Sequence, residues 1–421
     1  MKRFLSVFMT VAFVLSFVTC FPTAANEYDG EYNGFWTTNP TDYSVKIVDY
    51  TGDETDIVIP DEIYGQKVTA IGNRAFWHNE NITSVKLPSC LEEIEDDAFN
   101  SCVNLTEISI PKSLKKCNGP FNGSGIVTAT IEDGATEIPD DLFWGCKKLE
   151  NVIIPDTVTK IGDSSFTGCS ALEELKLPSN LTTIMGAFTG CSALKSITIP
   201  KSLTNVVNSP FSWSGLESAV LEDGMTTVPD ELFYCADKLT NVVIPETVTT
   251  INRHAFAHCR SLETISLPSN LKILGNSVFR NCTSLSSITI PNTLESIGDT
   301  AFEYCTSLKE ITVPPSVTEL GAGIFNNNGE LFIVRGERGS AIHKYAVENN
   351  LKFATAEITE YENGDINRDG TINVSDATLL QKHIAEIVTL SDEQLKLADT
   401  DSDGNISIAD VTQILKTVVL Q

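Results

Sequence analysis

Apolar and polar positions recur along most of the chain with a period of 22 or 23 residues, and one phenylalanine marks each copy. The copies lie in register at Phe76, Phe99, Phe121, Phe143, Phe166, Phe188, Phe211, Phe233, Phe256, Phe279, Phe302 and Phe325. One such unit cannot bury its own apolar face and must stack on its neighbours. The pattern therefore predicts a solenoid.

The segment Leu-x-x-Ile-x-Ile-Pro predicts one short strand in each unit. It occurs at residues 105–111, 149–155, 194–200, 239–245 and 285–291. Its two isoleucines alternate with outward residues, as the period of two in a strand requires, and proline ends the ladder because it has no N–H. The rest of the unit predicts a turn and a compact helical or irregular return.

Two stretches depart from this pattern in the same way, 90 positions apart. Residues 120–143 and 210–233 share Pro-Phe, Ser-Gly, Glu-Asp-Gly and a closing Leu-Phe. Either a block of four units was duplicated as a whole, or both stretches are repeats that diverged independently from the consensus.

The cysteines follow the same register. Seven of them, Cys102, Cys146, Cys169, Cys191, Cys259, Cys282 and Cys305, lie three residues after a repeat phenylalanine, where other units have Ser or Asn. A column that accepts these three residue types predicts a small, partly buried ladder position. Disulfides between adjacent units remain an alternative. A zinc site is disfavoured, because no Cys-x-x-Cys or paired His spacing occurs.

Charge and the amino terminus indicate the compartment. The formal charge of −27 disfavours nucleic acid and anionic lipid as partners. Met1-Lys2-Arg3, an apolar run to Phe21 and small residues at 23–25 predict a secretory signal peptide over residues 1–25. An uncleaved anchor is the alternative, and no later hydrophobic span reaches membrane length.

The repeats offer candidate binding residues and no defensible catalytic set. Trp77 and Trp144 directly follow their repeat phenylalanine, and Tyr234 holds the same slot. Such rings are candidate ligand-facing residues for sugar stacking, with packing at the rim as the alternative. The five histidines are scattered, and no serine elbow or phosphate loop appears, so the chain is expected not to be an enzyme.

Two aspartate-rich loops near the carboxyl end have the spacing of calcium loops. Oxygen ligands recur at positions 1, 3, 5, 7, 9 and 12, with glycine at position 6. The predicted ligands are Asp365, Asn367, Asp369, Thr371, Asn373 and Asp376 in the first loop, and Asp399, Asp401, Asp403, Asn405, Ser407 and Asp410 in the second. Apolar periodicity predicts exit helices over residues 377–384 and 411–418. The tail is thus expected to bind two calcium ions.

The unit Cys-x-x-Leu-x-x-Ile-x-Ile-Pro-x-x-Val-x-x-Ile-x-x-x-Ala-Phe resembles the BspA-type bacterial leucine-rich repeat over roughly residues 40–353, and residues 365–421 resemble a type I dockerin. The expected fold is an α/β leucine-rich-repeat solenoid of short parallel strands and irregular returns, plus a small all-α calcium-binding dockerin. The expected domains are a signal peptide (1–25), an N-terminal cap or atypical first repeat (26–70), repeats with a C-terminal cap (71–353), a linker (354–362) and the dockerin (363–421).

The dockerin resemblance implies a partner and a contact surface. Dockerins bind cohesin modules of the scaffolding proteins of cellulosomes. The family's contact positions fall on Val374, Ser375, Lys382, Ile408, Ala409 and Lys416. The Ser-Thr pair familiar at two of these positions is absent from both loops, which leaves the cohesin type open.

These features favour a secreted, non-catalytic accessory protein, associated with the cell surface through a cellulosome. Its solenoid would bind a protein or polysaccharide, and its dockerin would bind cohesin. A cellulosomal carbohydrate-active or proteolytic enzyme with an unrecognised site, and a cell-surface adhesin, are the alternatives.

Overall fold

The computed structural model describes residues 30–41, 44–355, 363–367 and 372–420. The predicted signal peptide lies outside these residues. Most of the predicted linker and residues 368–371, which belong to the first loop, also lie outside them. Buried apolar side chains form two separate clusters, one running from Phe35 to Tyr345 and one from Ile366 to Ile414. Each cluster is described by itself below.

Most units of the solenoid contain two short strands, whereas the sequence predicts one; residues 171–178, after Phe166, form no first strand. The first strands are Asp56–Val58, Ser84–Lys86, Glu107–Ile110, Thr128–Ile131, Asn151–Ile153, Ser196–Ile199, Ser218–Leu221, Asn241–Val243, Thr264–Ile265, Ser287–Ile288, Glu310–Thr312, Ile333–Gly336 and Lys352–Thr355. The second strands are Gln66–Ile71, Glu93–Ile94, Lys116–Cys117, Glu137–Ile138, Lys160–Ile161, Thr183–Met185, Asn205–Val207, Thr227–Val228, Thr250–Ile251, Ile273–Leu274, Ser296–Ile297 and Glu319–Leu320. Two-residue strands are too short to show a period of two in the sequence, so the second set was missed.

Strands of successive units pair in parallel, and the returns between them are turns rather than helices. The predicted solenoid of short parallel strands and irregular returns is confirmed. The sheet of second strands is interrupted twice, between Lys116–Cys117 and Glu137–Ile138 and again between Asn205–Val207 and Thr227–Val228. Both interruptions fall within the two divergent stretches.

The divergent stretches also make matching hydrogen bonds. The Lys112 and Lys201 amides donate to Glu132 and Glu222, at 3.3 and 3.1 Å. The amides of the two glycines that follow, Gly134 and Gly224, each donate to a threonine hydroxyl at 3.2 Å. Shared local geometry at two sites favours duplication of a block over independent decay.

The repeat phenylalanines form a continuous stack in the core. Neighbouring rings have centroids 4.7 to 6.0 Å apart and planes within 29° of parallel. These separations match the preferred range for aromatic pairs. The stack fixes the register of each unit against the next.

The backbone around each phenylalanine alternates between right- and left-handed turns. The residues two before and two after the ring have positive φ, often without being glycine, as at Ser164, His254 and His258, with φ of 53°, 58° and 63°. Such conformations are uncommon for non-glycine residues and persist when the surroundings determine them. In the first unit, the amides of Arg74, Phe76 and His78 donate to carbonyls of the next unit at 2.8 to 3.0 Å. We call this side of the solenoid the turn edge.

The cysteine column forms a ladder of thiol hydrogen bonds. Each of the seven column thiols is buried and donates to the phenylalanine carbonyl of the preceding unit at 3.1 to 3.2 Å. The ten described cysteines are all free. Burial raises the pKa of the Cys102, Cys146 and Cys191 thiols to about 12. These thiols hold neighbouring units together and are poor nucleophiles.

Both ends of the stack are covered. At the amino-terminal end lie the antiparallel strands Gly30–Tyr32, Phe35–Thr41 and Ser44–Tyr50, together with Glu62–Ile63. Phe35 and Tyr50 pack against the Phe76 ring. At the other end is helix α1, Ala341–Glu348, whose Tyr345 hydroxyl accepts a hydrogen bond from the Ile324 amide at 2.8 Å. Terminal units need such covers because their outer faces have no neighbouring repeat.

The carboxyl-terminal cluster is built from three helices: α2, Val374–Ile384; α3, Asp392–Ala398; and α4, Ile408–Leu420. The two exit helices begin three residues earlier than predicted, and α3 was not predicted. Leu380 of α2 and Ile414 of α4 are buried together with Ile366, which lies just inside the first loop. This small all-α unit agrees with the predicted fold class.

Candidate calcium loops and docking surface

The second loop gathers three carboxylates at one point. Asp399, Asp401 and Asp403 each offer an oxygen, and these oxygens lie within 4.8 Å of one another. Hydrogen bonds within the loop support this arrangement: the Asp403 and Gly404 amides donate to the two oxygens of Asp399, each at 3.0 Å. Alternate loop positions therefore point inward, as the spacing predicts.

The aspartate at position 12 fastens each loop to its exit helix. In the second loop, the Asp410 carboxylate accepts from the Asp401 and Ser407 amides at 3.4 and 2.9 Å, and also from the Thr400 amide at 2.8 Å. In the first loop, Asp376 accepts from the Asn367 and Asn373 amides, both at 2.9 Å. Both aspartates are fully buried. The same contacts at equivalent positions give the two loops one local geometry.

The pKa of Asp410 results from two opposed effects. Burial raises it, but hydrogen bonds from the Ser407, Thr400 and Asp401 amides and the Thr400 hydroxyl outweigh burial and leave the pKa below its ordinary value. Hydrogen bonds to a charged carboxylate favour that form. Asp410 is thus held ionised, as a cation ligand must be.

The first loop is described in part. Asp365 is buried, and the Asn363 side chain beside it donates to the Asp399 carbonyl of the second loop at 3.0 Å. Asn367 and Asn373 take part in the hydrogen bonds to Asp376 described above. The predicted ligands Asp369 and Thr371 lie outside the described residues.

The donor set fits calcium on chemical grounds. Asp399, Asp401 and Asp403 supply converging oxygen donors, which hard cations such as Ca²⁺ prefer, and Asp410 is the predicted ligand at position 12. The other predicted ligands of this loop, Asn405 and Ser407, follow in the same turn. Ser407 also accepts from the Ala409 amide at 3.1 Å, which links the loop to the start of α4.

The six predicted cohesin-contact residues are all exposed. They lie at equivalent places on the two exit helices, with Val374 and Ser375 opening α2, Ile408 and Ala409 opening α4, and Lys382 and Lys416 further along. Val374 and Ile408 are 57% and 63% exposed, which is high for apolar side chains. Position 10 of each loop is therefore an uncovered apolar residue at the start of an exit helix.

On the solenoid, Trp77 and Trp144 are half-exposed at the turn edge. Tyr234 is more enclosed, with its ring against His254 and His258 at centroid distances of 5.9 and 5.2 Å. Burial lowers the pKa of both histidines, and nearby arginines add to the effect. Two further exposed aromatics, Trp213 and Tyr304, were missed because they lie two residues after the repeat phenylalanine instead of one.

These features define a class: a leucine-rich-repeat solenoid joined in one chain to a small helical module with paired acidic loops. The family model described as BspA type leucine rich repeat region matches residues 55–120, 117–236 and 226–354, and the model described as Dockerin type I domain matches residues 363–418. The chain belongs to the BspA-type leucine-rich repeat family and carries a C-terminal type I dockerin. Both are non-catalytic binding modules.

Solved structures similar to this chain include two bacterial leucine-rich repeat proteins, and the first of them supports the fold. A leucine-rich repeat protein from Bacteroides ovatus is 25% identical, with 78% of this chain and 100% of that chain covered and a TM-score of 0.52. A leucine rich cell surface protein from Faecalibacterium prausnitzii is 24% identical, with coverage of 76% and 97% and a TM-score of 0.40. Comparison with curated proteins finds no match. Among the described residues, no helix has the length and apolarity needed to cross a membrane.

Proposed function

We propose that this protein is a secreted, non-catalytic accessory component of a cellulosome-like assembly. Its dockerin binds a cohesin module of a scaffolding protein when both acidic loops hold calcium, and its solenoid binds a polysaccharide or protein target. One observation supports this proposal above all: a single chain contains both a repeat solenoid and a module with two equivalent oxygen-donor loops.

Calcium acts in this proposal by fixing the exit helices. Three carboxylates close together repel one another unless a cation lies between them. With the ion bound, position 12 of each loop is held against the loop amides, and the first turns of α2 and α4 are placed for docking. Val374 and Ile408 then supply apolar contacts, with Lys382 and Lys416 at the rim, which is the usual division within protein interfaces.

The docking step is tested with the full chain on a panel of immobilised type I cohesins, in calcium and in chelator. Binding to at least one cohesin in calcium and none in chelator is expected. The double variant Val374→Asp, Ile408→Asp should lose binding, because a charge would be buried at either contact. Ile387→Asp is the matched control, since Ile387 is also exposed but lies outside both contact sets.

Two results would refute this docking mechanism: tight cohesin binding in chelator, and a double variant that binds like the control. The absence of catalysis is tested by incubating the full chain with polysaccharides and peptides. Turnover that follows the purified protein would contradict the non-catalytic assignment.

A further inference from the structure

Exposed tryptophans recur at regular intervals along the turn edge. Trp77, Trp144 and Trp213 belong to the units of Phe76, Phe143 and Phe211, which are three units apart in each case. They are 49%, 42% and 64% exposed. Three strand spacings amount to roughly 15 Å. Tyr304, 39% exposed, continues the series four units further along.

The backbone holds these rings in place. The Trp77 and Trp144 amides close turns by donating to the Arg74 and Asp141 carbonyls at 3.0 and 3.1 Å. The Trp213 amide donates to the Cys235 carbonyl of the next unit at 2.9 Å. Each tryptophan also lies within two residues of a fully buried ring of the phenylalanine stack. Rings fixed in advance lose little freedom when they bind a ligand.

Two of the rings are supported by neighbouring groups. The Arg74 guanidinium lies over Trp77, 5.5 Å from the ring centroid. The Trp144 ring lies beside Gly119, where an added Cβ would come within 3.5 Å of it. Since about half of each side chain is still exposed, these rings can serve as stacking platforms.

The residues between the platforms are small and polar. At the position that directly follows the phenylalanine, Asn100 and Asn122 separate Trp77 from Trp144. Thr167 and Thr189 occupy the same position in the two units after Trp144. Among the described residues of this edge, the positions between the tryptophans thus hold amides and hydroxyls rather than the apolar side chains typical of a protein-interface core. Isolated aromatic rings alternating with amides and hydroxyls match a chain of sugar rings instead, with apolar ring faces and hydroxyl edges.

We propose that the turn edge is a binding track for an extended, uncharged polysaccharide that runs parallel to the solenoid axis, with Trp77, Trp144 and Trp213 as its three stacking platforms. This rests on the proposed function and names the target class of the solenoid. The charge of −27 excludes acidic polymers as the preferred ligand. One strand spacing is close to the advance of one sugar in an extended chain, so a platform meets about every third sugar.

Three linked contacts give a testable length dependence. Each further platform that a chain reaches adds one ring contact, so a ligand that spans all three should bind about 10–100-fold more tightly than one that reaches a single platform. Oligosaccharides that span two platforms should therefore bind more tightly than those that reach only one. A single tryptophan-to-alanine change should weaken binding roughly three- to tenfold, the value of one ring contact.

The test is affinity electrophoresis of the full chain in gels containing mixed-linkage β-glucan, xyloglucan or glucomannan, with polygalacturonate as the acidic comparator. At least one neutral polymer should retard the protein, and the triple variant Trp77→Ala, Trp144→Ala, Trp213→Ala should migrate freely. Trp144→Tyr should retain most of the retardation, because it keeps a ring. The control Val220→Ala, Val243→Ala changes two exposed apolar residues on the strand face and should leave retardation unchanged.

Several results would overturn the proposal: no retardation by any neutral polymer, stronger retardation by polygalacturonate, or a triple variant that behaves like the unaltered chain. Loss of binding in the strand-face control alone would place the ligand on that face instead. Cohesin binding in calcium is measured on the same preparations. If it persists without glycan binding, the track alone is wrong; if it fails too, the proposed function falls as well.

Discussion

Removing one thiol from the cysteine column should destabilise the solenoid by a predictable amount. Cys282 is fully buried, and its Sγ donates to the Phe256 carbonyl of the preceding unit at 3.1 Å. Cys282→Ala removes the donor and leaves that carbonyl in the core without its thiol partner. Cys282→Ser keeps a donor in nearly the same place.

The expected loss has two parts. The Phe256 carbonyl still accepts from the Cys259 amide at 3.2 Å, so loss of the thiol hydrogen bond costs only its net value, about 0.5–1.5 kcal/mol. Loss of a buried group about the size of a methylene costs about 0.8 kcal/mol more. The alanine variant should therefore be less stable by about 1–2 kcal/mol, and the serine variant by clearly less.

Urea unfolding followed by tryptophan fluorescence measures this difference. All four tryptophans, Trp36, Trp77, Trp144 and Trp213, lie before the dockerin, so the signal reports the solenoid alone. Measurements in reductant on the full chain should show a lower midpoint for the alanine variant, with similar slopes for all chains. Thr289→Ala, at an exposed position near the next strand, is the matched control. Equal losses for alanine and serine would show that volume and not hydrogen bonding sets the cost.

Three further predictions follow from the repeat geometry. The pKa of the buried Cys146 thiol is raised to about 12 from 9.0, so the unfolded chain loses this proton at a lower pH than the folded chain does. The stability that the neutral thiol contributes is therefore complete below pH 9 and should decline as the pH rises toward 12. Urea midpoints measured across that range would show the decline. An unchanged midpoint would contradict it. Phe166→Ala should lower the free energy of unfolding by about 3–5 kcal/mol, because it opens the ring stack, and Phe166→Leu should lower it by much less; the same fluorescence assay measures both. Tyr345→Phe should cost about 1–3 kcal/mol, because the buried Ile324 amide loses its acceptor at the cap; no change in thermal midpoint would refute that role.

The period of the sequence predicts the solenoid well because a single long-range feature, the ring stack, determines it. Each repeat phenylalanine in register is a buried ring in contact with the next, so counting phenylalanines amounts to counting units. The thiol column was predictable for the same reason, since Cys, Ser and Asn share one small site beside a backbone carbonyl. The carbonyl that accepts each thiol hydrogen bond was not predictable, because no sequence signal identifies a backbone acceptor.

What the sequence did not reveal are features without a period of their own. The second strand, such as Lys160–Ile161, is two residues long. Trp213 holds the place that Gly123 occupies in the equivalent stretch, so alignment to the repeat consensus hides it. Helix α3 had a readable signal, since Ser391 and Gln394 form a capping box.

In the loops, the spacing of oxygen residues predicted which side chains converge in the second loop but not where the helices begin. Asn373 caps α2, and the Asp376 carboxylate accepts a hydrogen bond from the Asn373 amide, so one aspartate serves both the loop and the first helical turn. This double role moves the helix start back to Val374. The predicted contact residues are therefore helical and share the geometry of the ion site.

Calcium titration of the chelator-stripped full chain by calorimetry tests the central claim most directly, since the proposed docking requires both loops to hold ions. Two calcium ions should bind per chain. Asp401→Ala should leave one of the two sites, while the exposed control Glu386→Gln should keep both. Cohesin binding measured in parallel should appear only as the ions bind. A chain that takes up no calcium, or that binds cohesin equally well without it, would contradict the account.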